Sequence, residues 1–271
     1  MWRDLPQNID PVAFALGPIA VHWYALMWLC AFGVTYGITL YRKKLGEIDL
    51  RIDQISDVLS TALIGALIGG RLGYVLFYDL VFFLEHPLRI IVPWDASVGW
   101  VGISGMSYHG GVIGVVCALY LYARKHHLSV LQLVDAFIPA ASLGYVFGRI
   151  GNFLGSELVG RETVIPWAVD FGDGVLRHPS QLYEAFGEGI LIFVVLWFVR
   201  KRFLVPGMLG ALYITLYGAV RFFIEFFRAP DVHIGFIWGF LTRGQIFSAC
   251  MFLVGCLLLY FLQKKSRSLS M

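Results

Sequence analysis

The sequence predicts an all-α polytopic membrane protein with seven transmembrane helices and a small external cap. Three observations predict it: 58% of the 271 residues are apolar, only 14% are charged, and the apolar residues gather in runs approaching the ~20 that a helix needs to cross the ~30 Å hydrocarbon layer. Such a chain is too apolar for a soluble domain and too long to be only an anchor. No linker, low-complexity tract or charge block divides it, so residues 1–271 read as one transmembrane domain.

The expected spans lie near 21–40, 57–77, 110–123, 130–154, 181–199, 207–227 and 245–262, the third being the shortest. Upstream of it, 79–108 mixes Phe82, Phe83, Pro87, Pro93, Trp94 and Trp100 with glycines, which suits an interfacial or re-entrant segment better than a straight span. The longest polar stretch, 155–180, is the expected cap.

Basic residues orient the chain. Arg42, Lys43, Lys44 and Arg51 follow the first span, Arg124 and Lys125 the third, Arg200, Lys201 and Arg202 the fifth, and Lys264, Lys265 and Arg267 the seventh. These places hold all six lysines and are the expected cytoplasmic ends, with the N-terminus outside and the C-terminus inside. The opening Met-Trp-Arg-Asp-Leu-Pro and the run after it show no small-residue cleavage site, so no removable signal peptide is expected. Cys30, Cys117, Cys250 and Cys256 lie in apolar runs without metal-ligand spacing and read as packing residues.

With the second, fourth and sixth spans starting inside, a rise of ~1.5 Å per residue carries Arg71, Arg149 and Arg221 roughly 20–28 Å across the layer. A charge at membrane depth is a functional-site hypothesis, and arginine suits a planar, bidentate grip on phosphate. Snorkelling or structural pairing is the competing account for each arginine alone. Gly70-Arg71-Leu72-Gly73 and Gly148-Arg149-Ile150-Gly151 echo each other, over too few residues to establish a duplication.

On the sixth span Tyr217, Arg221, Glu225 and Arg228 share one helix face, where Glu225 can orient Arg221 and leave donors for an anionic ligand, or serve as a purely structural partner. His109, followed by two glycines, is expected at the outer N-terminus of a helix, whose dipole favours a neutral imidazole able to act as a base; an interfacial hydrogen bonder is the alternative. His22 reads as a belt residue and His178 as part of a capping turn before Pro179. Glu157, Glu184, Glu188 and Asp135 complete the acids near or within spans, none at helical metal-site spacing. No metal, nucleotide or other cofactor and no nucleic-acid partner is expected, and a Gly-x-Ser-x-Gly elbow is absent. The residues alone leave open an enzyme acting on outer-leaflet lipid, an anion or lipid transporter with an arginine-lined site, and a non-catalytic lipid-binding scaffold.

Gly148-Arg149-Ile150-Gly151-Asn152-Phe153-Leu154, with Glu157 and Gly160, resembles the signature of the bacterial prolipoprotein diacylglyceryl transferases. The likeness runs along nearly the whole chain through His22-Trp23-Tyr24, Gly69-Gly70-Arg71-Leu72-Gly73-Tyr74, His109-Gly110-Gly111, the stretch from His178 to Glu184, Tyr217 to Arg228, and Gly244-Gln245. It departs at Gly155, followed by Ser156, where the family pattern usually has a second asparagine. That change removes one amide near the site and leaves Arg149, Asn152, Glu157 and Gly160 in place.

The resemblance implies a multi-pass protein of the cytoplasmic (inner) membrane with its site toward the outer leaflet. It also implies a reaction in which the diacylglyceryl group of phosphatidylglycerol moves to the lipobox cysteine of a prolipoprotein signal peptide, forming a thioether and releasing glycerol phosphate. That cysteine belongs to the substrate. On this reading His109 activates the thiol, Arg149 and Arg221 hold the departing phosphate, Glu157 and Glu225 orient the arginines, and Tyr24 and Asn152 bind headgroup oxygens. Gly160 leaves room for backbone close to the lipid, Arg71 is a further phosphate ligand, and Tyr217 lines the same face.

Overall fold

The computed structural model describes residues 2–17, 19–91, 94–95, 99–100, 105–203, 205–230 and 241–269, without the side chains of 19, 94, 95, 99, 100 and 266–269. Pro93 and the side chains of Trp94, Trp100 and Arg267 therefore lie outside the described residues. The chain divides into two compact units, one formed by Met1–Ile48 with Val134–Met271 and the other by Asp49–Leu133.

The first unit opens with a hairpin of β1 (Val12–Leu16) and β2 (Ile19–His22), turned at Gly17 with φ +61°, and leads directly into α1 (Trp23–Lys44). Arg42, Lys43 and Lys44 in the last turn of α1 complement the negative end of its dipole.

Unit Asp49–Leu133 contains α2 (Ile52–Phe77), the short α3 (Leu80–Glu85), a 3-10 turn at Pro87–Ile90, a ribbon of β3 (Trp94–Asp95) with β4 (Gly99–Trp100), and α4 (Tyr108–Lys125). Helices α2 and α4 cross on bare backbone: a Cβ at Gly69 would stand 2.6 Å from Gly114 Cα, and one at Gly73 2.8 Å from Gly110 Cα. Small residues permit that approach, which supplies packing where lipid offers no hydrophobic drive. Between the helices the described residues of 79–107 form short elements rather than a straight helix.

The remaining helices are α5 (Val130–Leu154), which lies in the other unit from Val134 onward, and α6 (Ser180–Val199), α7 (Met208–Ile224) and α8 (Arg243–Leu269) of that unit. Ile192 and Leu196 of α6 bury against Leu209 of α7, with Ile138, Tyr213 and Leu216 around them. Thr35 of α1 donates to its own Ala31 carbonyl and to Ala140 of α5.

At the basic end of α1, Arg42 donates to the carbonyls of Asp135 (2.9 Å) and Ala136 (2.6 Å) and pairs with Glu47, which also binds Arg200 and Lys201. Asp135, one of the acids near or within the expected spans, caps α7 by accepting from the amides of Gly207 (2.7 Å) and Gly210 (2.9 Å). A carboxylate at a helix N-terminus is stabilised by donors and dipole together.

Among the described residues, five helices are long and apolar enough to cross a membrane: α1, α2, α5, α6 and, as far as Lys265, α8. Of the two other expected spans, α7 is a shorter apolar helix of 17 residues and α4 has 18. The protein is thus a mostly helical, polytopic membrane protein, and three small ribbons supplement its helices.

Candidate active site

The cap begins where α5 ends. Ser156 N bonds Phe153 O and Glu157 N bonds Asn152 O, closing a Schellman turn with Ser156, instead of the usual glycine, in the left-handed position at φ +54°. The turn folds Glu157 back over the helix, where its carboxylate accepts from Asn152 Nδ2 at 2.9 Å. Asn152 Oδ1 in turn accepts from Arg149 at 3.1 Å. We expect Ser156→Gly to relieve the positive φ and raise the thermal midpoint in detergent, by up to about 1 kcal/mol.

Beyond the turn the chain threads between two others. Gly160 N bonds His178 O, His178 N bonds Arg161 O, Arg161 N bonds Phe227 O, and Ala229 N bonds Val159 O. Ser180 and Gln181, both fully buried at the start of α6, hold the Leu158 and Glu157 carbonyls. This ladder ties the end of α5, the start of α6 and the chain just after α7 to one another. The ribbon of β5 (Val169–Asp170) and β6 (Leu176–Arg177) covers it, and the N-terminal segment joins the same cap: Asp170 N bonds Arg3 O, and Trp2 Nε1 bonds Trp167 O.

Beneath the cap, α6 widens. Ala185–Leu191 is a π-helical stretch, a form that recurs at functional sites. Its turn brings Glu184 and Glu188, both fully buried, toward the arginines of α5 and α7. Gly187 and Gly189 make room for it, since a Cβ at Gly187 would stand 2.8 Å from Val220 Cγ1 and one at Gly189 would strike Val146.

Glu184 is the hub. Its Oε2 lies 2.8 Å from Arg149 Nε, and its Oε1 lies 2.9 Å from both Arg221 Nη1 and Arg228 Nη1. Arg149 Nε aims its proton at the Tyr145 hydroxyl, 2.6 Å away, so Glu184 Oε2 has charge contact without an aligned hydrogen bond. Tyr145 donates onward to Glu188 Oε2 in a very short hydrogen bond, and Glu188 Oε1 reaches Arg221 at 3.4 Å. Glu225 closes the circuit: Oε2 pairs with Arg221 Nη2 at 2.7 Å, and Oε1 accepts from Thr242 at 3.0 Å. Thr242 and Gln245 form a reciprocal capping box at the start of α8, and a Cβ on Gly244 would overlap the Glu225 carboxylate.

The arginines keep a little access to solvent, with side-chain exposures of 15% for Arg149 and 14% for Arg221. Among the described residues, Nη2 of Arg149 and Nε of Arg221 make no hydrogen bond. Two arginines from facing helices, held by shared carboxylates, thus keep unused donors of a kind that an anion can accept from. No group of three or more His, Cys, Asp or Glu able to hold a metal occurs among the described residues.

The prolipoprotein diacylglyceryl transferase family matches residues 11–261. The chain belongs to that family. It is 43% identical over 260 residues to the phosphatidylglycerol–prolipoprotein diacylglyceryl transferase of Chlorobaculum tepidum, covering 94% of this chain and 90% of that protein. It is 44% identical over 269 residues to the protein of that name from Wolinella succinogenes, covering 98% of each, and 41% identical over 251 residues to that from Coxiella burnetii, covering 92% and 93%.

Within this diacylglyceryl transferase the predicted residues Arg149, Asn152, Glu157, Arg221 and Glu225 form one connected network. Tyr24 lies beside it: a Cβ on Gly151 would stand 3.1 Å from the Tyr24 ring. Tyr217 meets Tyr145 edge to face at 6.3 Å. Gly160 is closed in from both sides, because a Cβ there would strike His178 O and stand 2.8 Å from Phe227 O; its missing side chain makes room for the backbone of the ladder.

Arg71 and His109 belong to the other unit. Arg71 donates to the carbonyls of Arg89, Ile90 and Gly105 and lies over Phe83. His109 is exposed in the first turn of α4, whose N-cap Ser107 accepts from Gly110 N at 3.2 Å.

The sequence reading gave no role to Tyr145, Glu184 or Glu188. Two acids four residues apart in an otherwise apolar run were the available signal.

His178 meets the Tyr183 hydroxyl at 3.2 Å and the Phe227 ring at 5.1 Å, and burial holds its imidazole below the ordinary histidine value. A histidine kept neutral on folding resists the proton that the unfolded chain accepts, so its contribution to stability is lost as pH falls through about 6.5. Thermal melts below that pH should fall less steeply for His178→Gln than for the parent.

Proposed function

We propose that this chain transfers the sn-1,2-diacylglyceryl group of phosphatidylglycerol to the thiol of the lipobox cysteine in prolipoprotein signal peptides, the first step of bacterial lipoprotein maturation. The observation that carries this reading is the Arg149–Glu184–Arg221 bridge with unused guanidinium donors on both sides. Sulfur attack on a glycerol carbon expels a phosphate ester, and donors fixed in advance stabilise the charge that grows on the leaving oxygen. Asn152, which accepts from Arg149, and Tyr24, packed against Gly151, bind the headgroup oxygens. Glu157 and Glu225 orient Asn152 and Arg221. Free cysteine ionises near ~8.5, so a neutral base would raise its thiolate fraction, and we assign that role to the exposed His109.

The protein acts in the cytoplasmic membrane as a single seven-span domain, with its N-terminus outside and its site toward the outer leaflet. The basic ends of α1, α4, α6 and α8 support this orientation. The shared cap of N-terminus and residues 155–180 agrees with it. At ~1.5 Å per residue α4 and α7 are roughly 25–27 Å long, close to the layer's thickness.

The test mixes purified protein, phosphatidylglycerol and a lipobox peptide and follows glycerol phosphate. Release is expected with Cys in the peptide and not with Ser. Release that ignores the cysteine, or none from folded protein, would refute the assignment.

A further inference from the structure

Six buried charges meet beneath the cap, and they balance. Arg149, Arg221 and Arg228 face Glu184, Glu188 and Glu225, with every one of these side chains at most 15% exposed. At the edge Arg161, which donates to the Arg228 and Glu225 carbonyls, and Glu157, which accepts from Asn152, add one charge of each sign. A phosphodiester entering between Arg149 and Arg221 brings a further negative charge to a site with little water. An uncompensated buried charge is costly, and a titratable neighbour relieves it by changing protonation.

The three carboxylates differ in what holds their charge. Glu184 contacts three arginines, and Glu225 has a 2.7 Å arginine contact plus the Thr242 hydroxyl. Glu188 has one arginine contact, at 3.4 Å, and its other oxygen takes the Tyr145 hydroxyl. The groups facing Glu188 are Tyr145 and Arg149 from α5, Arg221 and Tyr217 from α7, and Glu184 on its own helix. An entering phosphate that drew Arg221 toward itself would remove the one cation among the described residues that pairs with Glu188 and leave Glu184 beside it.

We propose that Glu188 is the positioning carboxyl that takes up a proton from solvent when the lipid phosphate binds, so that the cluster stays neutral and Arg221 is released toward the phosphate while Tyr145 keeps Glu188 in place. This rests on the reading of Arg149 and Arg221 as the phosphate clamp. Lipid binding is then coupled to protonation: affinity for the phosphodiester falls as pH rises, by up to tenfold per pH unit in the window where the free protein has lost the proton and the complex retains it.

The experiment measures binding of a short-chain phosphatidylglycerol to the whole protein in uncharged detergent, without peptide, so that no substrate thiol titrates. Binding heats in buffers of different ionisation enthalpy count the protons taken up. The parent is expected to take up close to one proton over part of the range pH 6–9, with Kd rising with pH. Glu188→Gln, which mimics the neutral carboxyl, should take up none, with Kd flat in pH and tighter than the parent at the high end. Tyr145→Phe should keep the uptake with its window displaced.

Absence of proton uptake by the parent across this range, or uptake that survives in Glu188→Gln, overturns the proposal. The parent measurement needs no variant to fold. Arg149→Gln separates the two levels: if phosphatidylglycerol binds it as tightly as the parent, the clamp reading fails, whereas binding that needs Arg149 but moves no proton defeats Glu188 alone.

Discussion

Arg221→Lys should turn over at least a hundredfold more slowly than the parent while remaining folded. Lysine keeps the charge and can satisfy one of the carboxylates, but Arg221 uses its fork to reach three: Glu184 at 2.9 Å, Glu225 at 2.7 Å and Glu188 at 3.4 Å. An ammonium cannot hold that geometry and still present a planar edge to a phosphate. Removing one preorganised donor from a charge-stabilising site costs about 10²–10³ in rate. The check is glycerol phosphate release at saturating phosphatidylglycerol and peptide, with thermal melts to confirm folding. Parent-like turnover would show that Arg221 does not hold the leaving group.

Glu184→Gln should be the most destabilising substitution at the site. The fully buried carboxylate lies within 2.9 Å of three arginines, Arg149 on α5, Arg221 on α7 and Arg228 just beyond α7, and glutamine leaves those cations facing one another across a neutral amide. Breaking a buried ion pair by removing one partner costs about 3–5 kcal/mol, a large share of the stability of most proteins. The expected signature is a sharply lowered melting midpoint in neutral detergent, recovered in part by an anionic lipid whose phosphate replaces the lost charge. An unchanged midpoint would mean that the arginines are held apart by other contacts.

Much of this was open to a reader of the sequence, for reasons visible in single residues. Arg149 and Arg221 announced themselves because a charge in an apolar run has to be matched, and Asn152, Glu157 and Glu225 lay within a helical turn or two of them. The hub was hidden because Glu184 and Glu188 sit on a third helix, and their convergence depends on a π-helical turn that periodic counting does not reveal. Asp135 was seen as a charge but not as a cap, because the amides it accepts from lie more than seventy residues away. The glycine at 160 was noticed, while its reason, a three-chain ladder, is written in the distant His178 and Phe227. Seven apolar runs were readable, although the helices that form on the third and sixth are near the minimum length for a crossing.

The departure at Gly155 is mild in this setting. A Cβ there would meet Gly151 O at 3.4 Å and the Glu157 side chain at 3.7 Å, which are ordinary contacts.

The wide turn at Ala185–Leu191 also sets a limit on how this helix can change its length. A π-helical turn holds about one residue more than an α-helical one, so deleting Phe186 would let α6 close into a regular helix. The extra residue is what completes one rotation of the wide turn, so its loss would leave the rest of α6 close to its present phase. A deletion in a regular α-helical stretch of α6 would instead rotate everything after it by about 100°. The wide turn is therefore the place where this helix can lose a residue while the face it presents further on is kept.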